Sequence, residues 1–217
     1  MNCNRYVGTV QTEWLPDGRR MKLLQTLQYI DPACNTWEAP KEWVVDGASI
    51  PQFAWSIIGG PFEGKYRNAS VIHDVACDQK TKPWEAVHEV FYNAMIASGV
   101  SIVTAKIMYA AVYHFGPRWP QTVKAVVRSR DVDFHITSDT EDIRRMASRE
   151  TNASPWVLND SLPGAEDQDE SAVNVTIEPP PPSLAPEDFE QLRRAIEQRG
   201  PDAAESMTLE EIRSYQP

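Results

Sequence analysis

Four residues of this chain have the types and spacing of a reaction centre: Asp46, His73, Asp74 and His88. His73 and Asp74 interrupt an apolar run, Val71-Ile72-His73-Asp74-Val75-Ala76-Cys77, where both side chains forfeit water unless something engages them. On a helix, His73 and Cys77 lie four residues apart and share a face, while Asp74 points about 100° further round. His88 follows Trp84 by four positions and precedes Phe91 by three, which puts it at the border of an apolar stripe on the next helix. Two antiparallel helices joined by a short loop would bring His73 and His88 together. Asp46 opens the segment Asp46-Gly47-Ala48-Ser49-Ile50-Pro51 and would close over the same place.

Two chemistries suit such a cluster. In one, His73 is a general base that activates water, and a carboxylate orients it or holds a cation. In the other, His73, Cys77 and His88 ligate zinc, with Asp46 or Asp74 as the fourth ligand. A third reading is architectural: the His-Asp pair hydrogen-bonds the Gly-rich loop to the helices, with Asp46 or Asp74 accepting backbone N–H groups. Cys77 is then a small core residue. His114 and His135 read as structural, and Trp119 as an anchor behind a Gly-Pro stop.

The elements that must position these groups are legible in outline. Residues 5–46 read as short antiparallel strands. Tyr6 to Leu15 and Arg19 to Tyr29 flank the turn Pro16-Asp17-Gly18, with Met21, Leu23 and Leu27 on one face. A second hairpin is expected from Asn35-Thr36-Trp37 to Trp43-Val44-Val45. Residues 47–64 form an apolar loop punctuated by Gly47, Pro51, Gly59, Gly60, Pro61 and Gly64, which should pack on the domain. Three helices follow. The first opens near Asn68, the second at Pro83 behind Thr81, and the third, from Ser101 to Phe115, is apolar around most of its circumference. Gly116-Pro117 stops the third. Ser138-Asp139-Thr140-Glu141 is a capping box that would open a polar helix ending near Arg149.

Charge separates the two ends of the chain. Residues 1–130 carry a net charge of +3 and residues 131–217 one of −13. An acidic chain with no long basic cluster is a poor binder of nucleic acid. Acidic residues around 166–170 and the run Pro179-Pro180-Pro181-Pro182 read as a disordered linker ending in polyproline II. Beyond it, Phe189, Leu192 and Ile196 align on a short amphipathic helix, a common device for docking a protein partner. Cys3, Cys34 and Cys77 are odd in number and widely spaced, which suggests reduced thiols rather than a disulfide framework. No stretch approaches the roughly 20 apolar residues of a membrane span, and the start of the chain has no apolar signal core.

A resemblance emerges from these residues. Asp46-Gly47-Ala48-Ser49-Ile50-Pro51, Trp55, Gly60-Pro61, Tyr66, Ala69 and Ile72-His73-Asp74 resemble the core of a bacterial and phage family of unknown function, domain-of-unknown-function family 1353. Phe91, Met95, Gly99, Met108-Tyr109, Val112, Phe115-Gly116 and Trp119 continue the likeness, which spans residues 5–120. It implies a phage- or prophage-related role and supplies no activity. The His-Asp motif is also similar to that of prokaryotic phospholipases A2. That likeness implies His73 as base, Asp74 as calcium ligand and His88 as the residue orienting the base. Asp46 and the carbonyls of Gly59 and Gly60 would complete the cation site. The family pattern has an aromatic where Cys77 stands and an Asp where His88 stands, and the disulfides of those lipases have no counterpart here.

The expected protein is therefore an α+β domain at residues 1–130, a small antiparallel sheet packed on three helices. A polar helix at 131–150, a disordered acidic linker at 151–186 and short amphipathic helices at 187–217 follow. The expected function is that of a phage-related virion or assembly component, or a host-protein-binding effector, in the bacterial cytoplasm or the virion. Its partner would dock through Phe189, Leu192 and Ile196. The alternative is a metal-assisted hydrolase of ester or amide bonds, with calcium ahead of zinc as its ion.

Overall fold

A computed structural model describes residues 3–47, 49, 64–128, 170–181, 184–201 and 206–217. The chain divides into two units, residues 1–121 with 178–217, and residues 122–177. The first is α+β, as expected.

Six short strands open it: β1 (Arg5–Val7), β2 (Thr12–Trp14), β3 (Met21–Leu23), β4 (Leu27–Ile30), β5 (Thr36–Ala39) and β6 (Val44–Val45). They form two three-stranded antiparallel sheets, in orders β1-β4-β5 and β2-β3-β6. The Pro16-Asp17-Gly18 turn joins β2 to β3, setting Trp14 opposite Met21. Asp17 Oδ1 accepts from the backbone N–H groups of Arg19 and Arg20, both at 3.0 Å, and so fixes the turn. The two long strands expected here are each broken in two. β5 and β6 do not pair as a hairpin either; β5 adds to β4 and β6 to β3. Met21, Leu23 and Leu27 are all buried, so the predicted apolar face is present.

Register also joins two of the cysteines. Arg5 pairs with Ile30, and the backbone N–H of Asn4 reaches Asp31 O, which carries Cys3 alongside the Asp31–Cys34 turn. Cys3 and Cys34 form a disulfide across a Cα separation of 5.3 Å, leaving Cys77 as the free thiol. This overturns the expectation of reduced thiols throughout. Sequence spacing carried no sign of it, because strand pairing, not proximity along the chain, makes the contact.

A 3₁₀ turn (Gly64–Tyr66) leads into α1 (Arg67–Gln79), followed by α2 (Trp84–Ala97) and α3 (Ile102–Phe115). Ser101 caps α3 by accepting from the Thr104 N–H at 3.1 Å. α1 packs on α2 along one side and on β5 along another, so every residue from Ala69 to Cys77 is buried. α3 ends at Gly116, where the backbone turns extended, and glycine is required there because a Cβ would lie 2.3 Å from Val112 O.

The C-terminal residues return to this unit. α4 (Phe189–Arg199) and α5 (Leu209–Arg213) both pack on α3. Phe189, Leu192, Ile196 and Ile212 are buried in the main core, Phe115 meets Phe189 edge-on at 5.8 Å, and His114 Nε2 donates to Ile212 O at 2.8 Å. The apolar stripe expected to await a partner is used on the chain's own core, which corrects its reading as a tethered docking helix. Arg118 donates to Pro180 O and Pro181 O at 2.9 and 3.1 Å.

In the second unit, except for Gln121 at its start, β7 (Gln121–Arg128) pairs with β8 (Glu170–Ile177) as a two-stranded sheet. β8 occupies part of the stretch expected to be disordered. The polar helix expected from Ser138 to Arg149 lies outside the described residues.

Candidate functional site

The site is assembled at the junction of α1, α2, the segment after β6 and the segment after α3. α1 supplies His73, Asp74 and Cys77, and α2 supplies His88. Ser49 reaches in from the Asp46-Gly47 loop and Pro117 from the stop behind α3. Helical spacing sets Cys77 Sγ 3.6 Å from His73 Nε2. His73 and His88 have no solvent exposure, and Asp74, Cys77 and Ser49 are buried.

Asp74 organises the loop. Its Oδ2 accepts the backbone N–H groups of Asp46 and Gly47 at 3.0 and 3.2 Å, and its Oδ1 accepts the Ser49 hydroxyl at 2.8 Å. Gly47 takes φ +70°, a conformation glycine adopts without steric cost, and so turns its N–H onto the carboxylate. Burial pushes the Asp74 carboxyl above the usual range, against the lowering effect of these three hydrogen bonds.

The imidazoles form a chain. His88 Nε2 stands 3.1 Å from Pro117 O; a carbonyl can only accept, so the proton is on Nε2. That leaves His88 Nδ1 to accept from His73 Nε2 at 2.9 Å. His73 Nδ1 then faces Ser49 Oγ at 3.2 Å. His73 stacks on Phe91 at 4.6 Å between ring centroids, and Trp84 stands edge-on to His88 at 5.6 Å. Burial drives the His73 imidazole well below its ordinary value, helped by the adjacent His88. It lowers His88 to about 3, where the Pro117 hydrogen bond opposes it and the Arg118 guanidinium reinforces it. Cys77 is raised by burial and then by the charges of Asp74 and Asp78, so it is held as a thiol.

Of the predicted site residues, the fold brings His73, Asp74 and His88 into one connected group. The Asp46 backbone N–H joins the group through Asp74, and its carboxylate pairs with Arg19 at 3.5 Å. Gly59 and Gly60 lie outside the described residues. The atoms converging from His73, Cys77 and His88 are nitrogen and sulfur, not the oxygens a hard cation takes. Ser49 and Pro117 were not picked out from the sequence. Ser49 was quoted within its motif, but its contact depends on the Asp74-organised turn; Pro117 acts through a backbone carbonyl, to which side-chain patterns are blind.

Comparison with known proteins agrees with the resemblance seen in the motifs. Residues 21–112 match the DUF1353 family, described as a protein of unknown function. The DUF1353 match takes in Asp46, Ser49, His73, Asp74, Cys77 and His88, and ends within α3. Two curated relatives come from Sinorhizobium fredii (strain NBRC 101917 / NGR234). Uncharacterized protein y4iH is 40% identical over 119 residues, which are 54% of this chain and 49% of the relative. Uncharacterized protein y4jT is 48% identical over 105 residues, 48% of this chain and 31% of the relative. The aligned stretch thus spans half or less of each relative's length. No solved structure matches the chain. These matches do not show the expected likeness to phospholipases A2.

Proposed function

We propose that this DUF1353 domain is a hydrolase of ester or amide bonds, with the His73–His88 pair at its reaction centre. Water would add its hydroxyl to the acyl carbon and its proton to the departing alcohol or amine. The observation that supports this reading is the buried pairing of His73 Nε2 with His88 Nδ1 at 2.9 Å, with His88 itself oriented by Pro117 O at 3.1 Å. A reactive group oriented by a second and a third partner is the arrangement that acid–base and nucleophilic catalysis require. A lipid or cell-envelope acyl compound is the substrate class we favour, on the likeness of the His-Asp motif.

The rival role, a virion component or effector docking through Phe189, Leu192 and Ile196, has lost its motive, since those side chains are buried in the core of the same chain. The test is a screen of the full chain against p-nitrophenyl acyl esters, phospholipid vesicles and peptidoglycan fragments. Turnover is expected with at least one class, lost in His73→Ala and kept in Trp14→Ala, a change at an exposed position. Absence of turnover with all three classes, or turnover indifferent to His73→Ala, would overturn the reading.

A further inference from the structure

The chain of hydrogen bonds from Pro117 to Asp74 is one proton short. It has four links: Pro117 O to His88 Nε2, His88 Nδ1 to His73 Nε2, His73 Nδ1 to Ser49 Oγ, and Ser49 Oγ to Asp74 Oδ1. Both ends are acceptors when Asp74 is a carboxylate. Two neutral imidazoles and one hydroxyl supply three protons. Ser49 cannot donate to His73 and Asp74 at once, so one buried acceptor is left without a donor, an arrangement that costs stability.

A cation between the two imidazoles closes the count with Asp74 still ionised. With His73 Nε2 and His88 Nδ1 both on a metal, the His73 proton moves to Nδ1 and is donated to Ser49, whose own proton goes to Asp74. A third ligand stands at that gap. Ligand atoms of His73, Cys77 and His88 all lie within 4.8 Å of one another. Tetrahedral zinc, with bonds of about 2.0–2.1 Å to nitrogen and 2.3 Å to sulfur, separates N and S ligands by about 3.5 Å and two N ligands by about 3.3 Å. The Cys77 Sγ to His73 Nε2 distance is 3.6 Å. The His73–His88 distance of 2.9 Å is that of a hydrogen bond, and must open by about 0.4 Å to admit the ion.

The outer contacts suit a metal as well. Ligating histidines usually donate their second ring N–H to a carbonyl or a carboxylate-backed group. His88 does so to Pro117 O, and His73 faces Ser49, itself bonded to Asp74. We infer that His73 Nε2, Cys77 Sγ and His88 Nδ1 form a binding site for a divalent ion of the zinc class, with a fourth position left for water or substrate. Cys77 binds as the thiolate and releases its proton to solvent. The assignment rests on its own geometry. Only the ion's task, activating the attacking water, rests on the hydrolase reading.

Cobalt(II) and zinc titrations of the metal-free full chain test it. One equivalent of cobalt is expected, with the intense visible absorption of a tetrahedral ion and a thiolate-to-metal charge-transfer band, displaced by zinc. Cys77→Ser, a near-isosteric change, should erase the charge-transfer band and weaken binding at least tenfold with an unchanged far-ultraviolet circular dichroism spectrum. His88→Ala should reduce occupancy below one-tenth of an equivalent. Failure of the wild-type chain to bind either ion, or unaltered binding in Cys77→Ser, would overturn the inference; the fourth proton would then reside on the cluster itself. Stoichiometric binding without turnover sinks the hydrolase reading and leaves the metal site standing. Chelator-insensitive turnover in a chain that binds no metal does the reverse.

Discussion

His73 Nε2 and His88 Nδ1 stand 2.9 Å apart although their residues are 15 positions apart in the chain. This contact fixes the facing surfaces of α1 and α2; His88 is anchored on its far side by Pro117 O, and Ser49 Oγ lies 3.2 Å from His73 Nδ1. Both imidazoles are fully buried, in an interior where a proton or a metal ion would interact far more strongly than at the surface.

Asp74 should prove essential to the loop before it proves essential to anything else. Asp74→Asn removes one acceptor oxygen and replaces it with a donor facing either the two backbone N–H groups or the Ser49 hydroxyl. A loss of about 1–3 kcal/mol is expected, read as a lower urea midpoint with an unchanged slope. A midpoint equal to wild type would show that the loop does not depend on this carboxylate.

The disulfide predicts a thiol count. Under non-reducing denaturation one thiol per chain should react with a colorimetric disulfide reagent, that of Cys77, and three after reduction. Breaking the Cys3–Cys34 bridge should cost about 2–4 kcal/mol, seen as a lower Tm in reductant or in a Cys3→Ser, Cys34→Ser variant. Three reactive thiols before reduction would refute the pairing.

Acid should destabilise the metal-free chain. His88 titrates near 3 in the folded protein and His73 and His114 are also lowered by burial, whereas unfolded histidine titrates near 6.5. Between these values the unfolded chain binds more protons than the native one. Stability is therefore complete above about pH 6.5 and lost as pH falls, by up to about 1.4 kcal/mol per pH unit for each histidine. Asp74, raised in the fold, acts in the opposite sense, because the native state takes its proton first. Three imidazoles outweigh one carboxyl, so calorimetry from pH 7 to 4 should show a steadily falling Tm. A flat profile would mean that the imidazoles are accessible to protons in the native state.

The C-terminal helices should be required for stability. Leu192→Ala in α4 should cost about 2–5 kcal/mol, as for a large core side chain cut to a methyl. A chain ending at Ile177 loses Phe189, Leu192, Ile196 and Ile212 from the core together, and should expose apolar surface, seen as binding of a hydrophobic dye. A truncated chain with the full-length Tm would restore the docking-arm reading.

Local signals served well where neighbours in sequence decide the outcome. The Pro16-Asp17-Gly18 turn, the Gly116-Pro117 stop and the helical spacing of His73 with Cys77 depend on a handful of adjacent residues, and each is present in the fold, whereas the caps expected at Asn68 and Thr81 are not used. So is the α+β class, which follows from apolar periodicity. The pairing of β5 with β4 and of β6 with β3, the Cys3–Cys34 bridge and the return of α4 to the core were not legible. An apolar stripe looks the same whether its partner is another protein or another part of its own chain.

By itself the sequence determined which side chains could take part in chemistry, since an ionisable pair in an apolar helix must be engaged by something. Tertiary structure alone decided what engages them. It turned Asp74 towards two backbone amides and a hydroxyl, moved the Asp46 carboxylate to Arg19, and set Cys77 and His88 around His73. The reason is physical: donors and acceptors pair by distance and direction, and those are fixed only once helices, loop and stop have packed together.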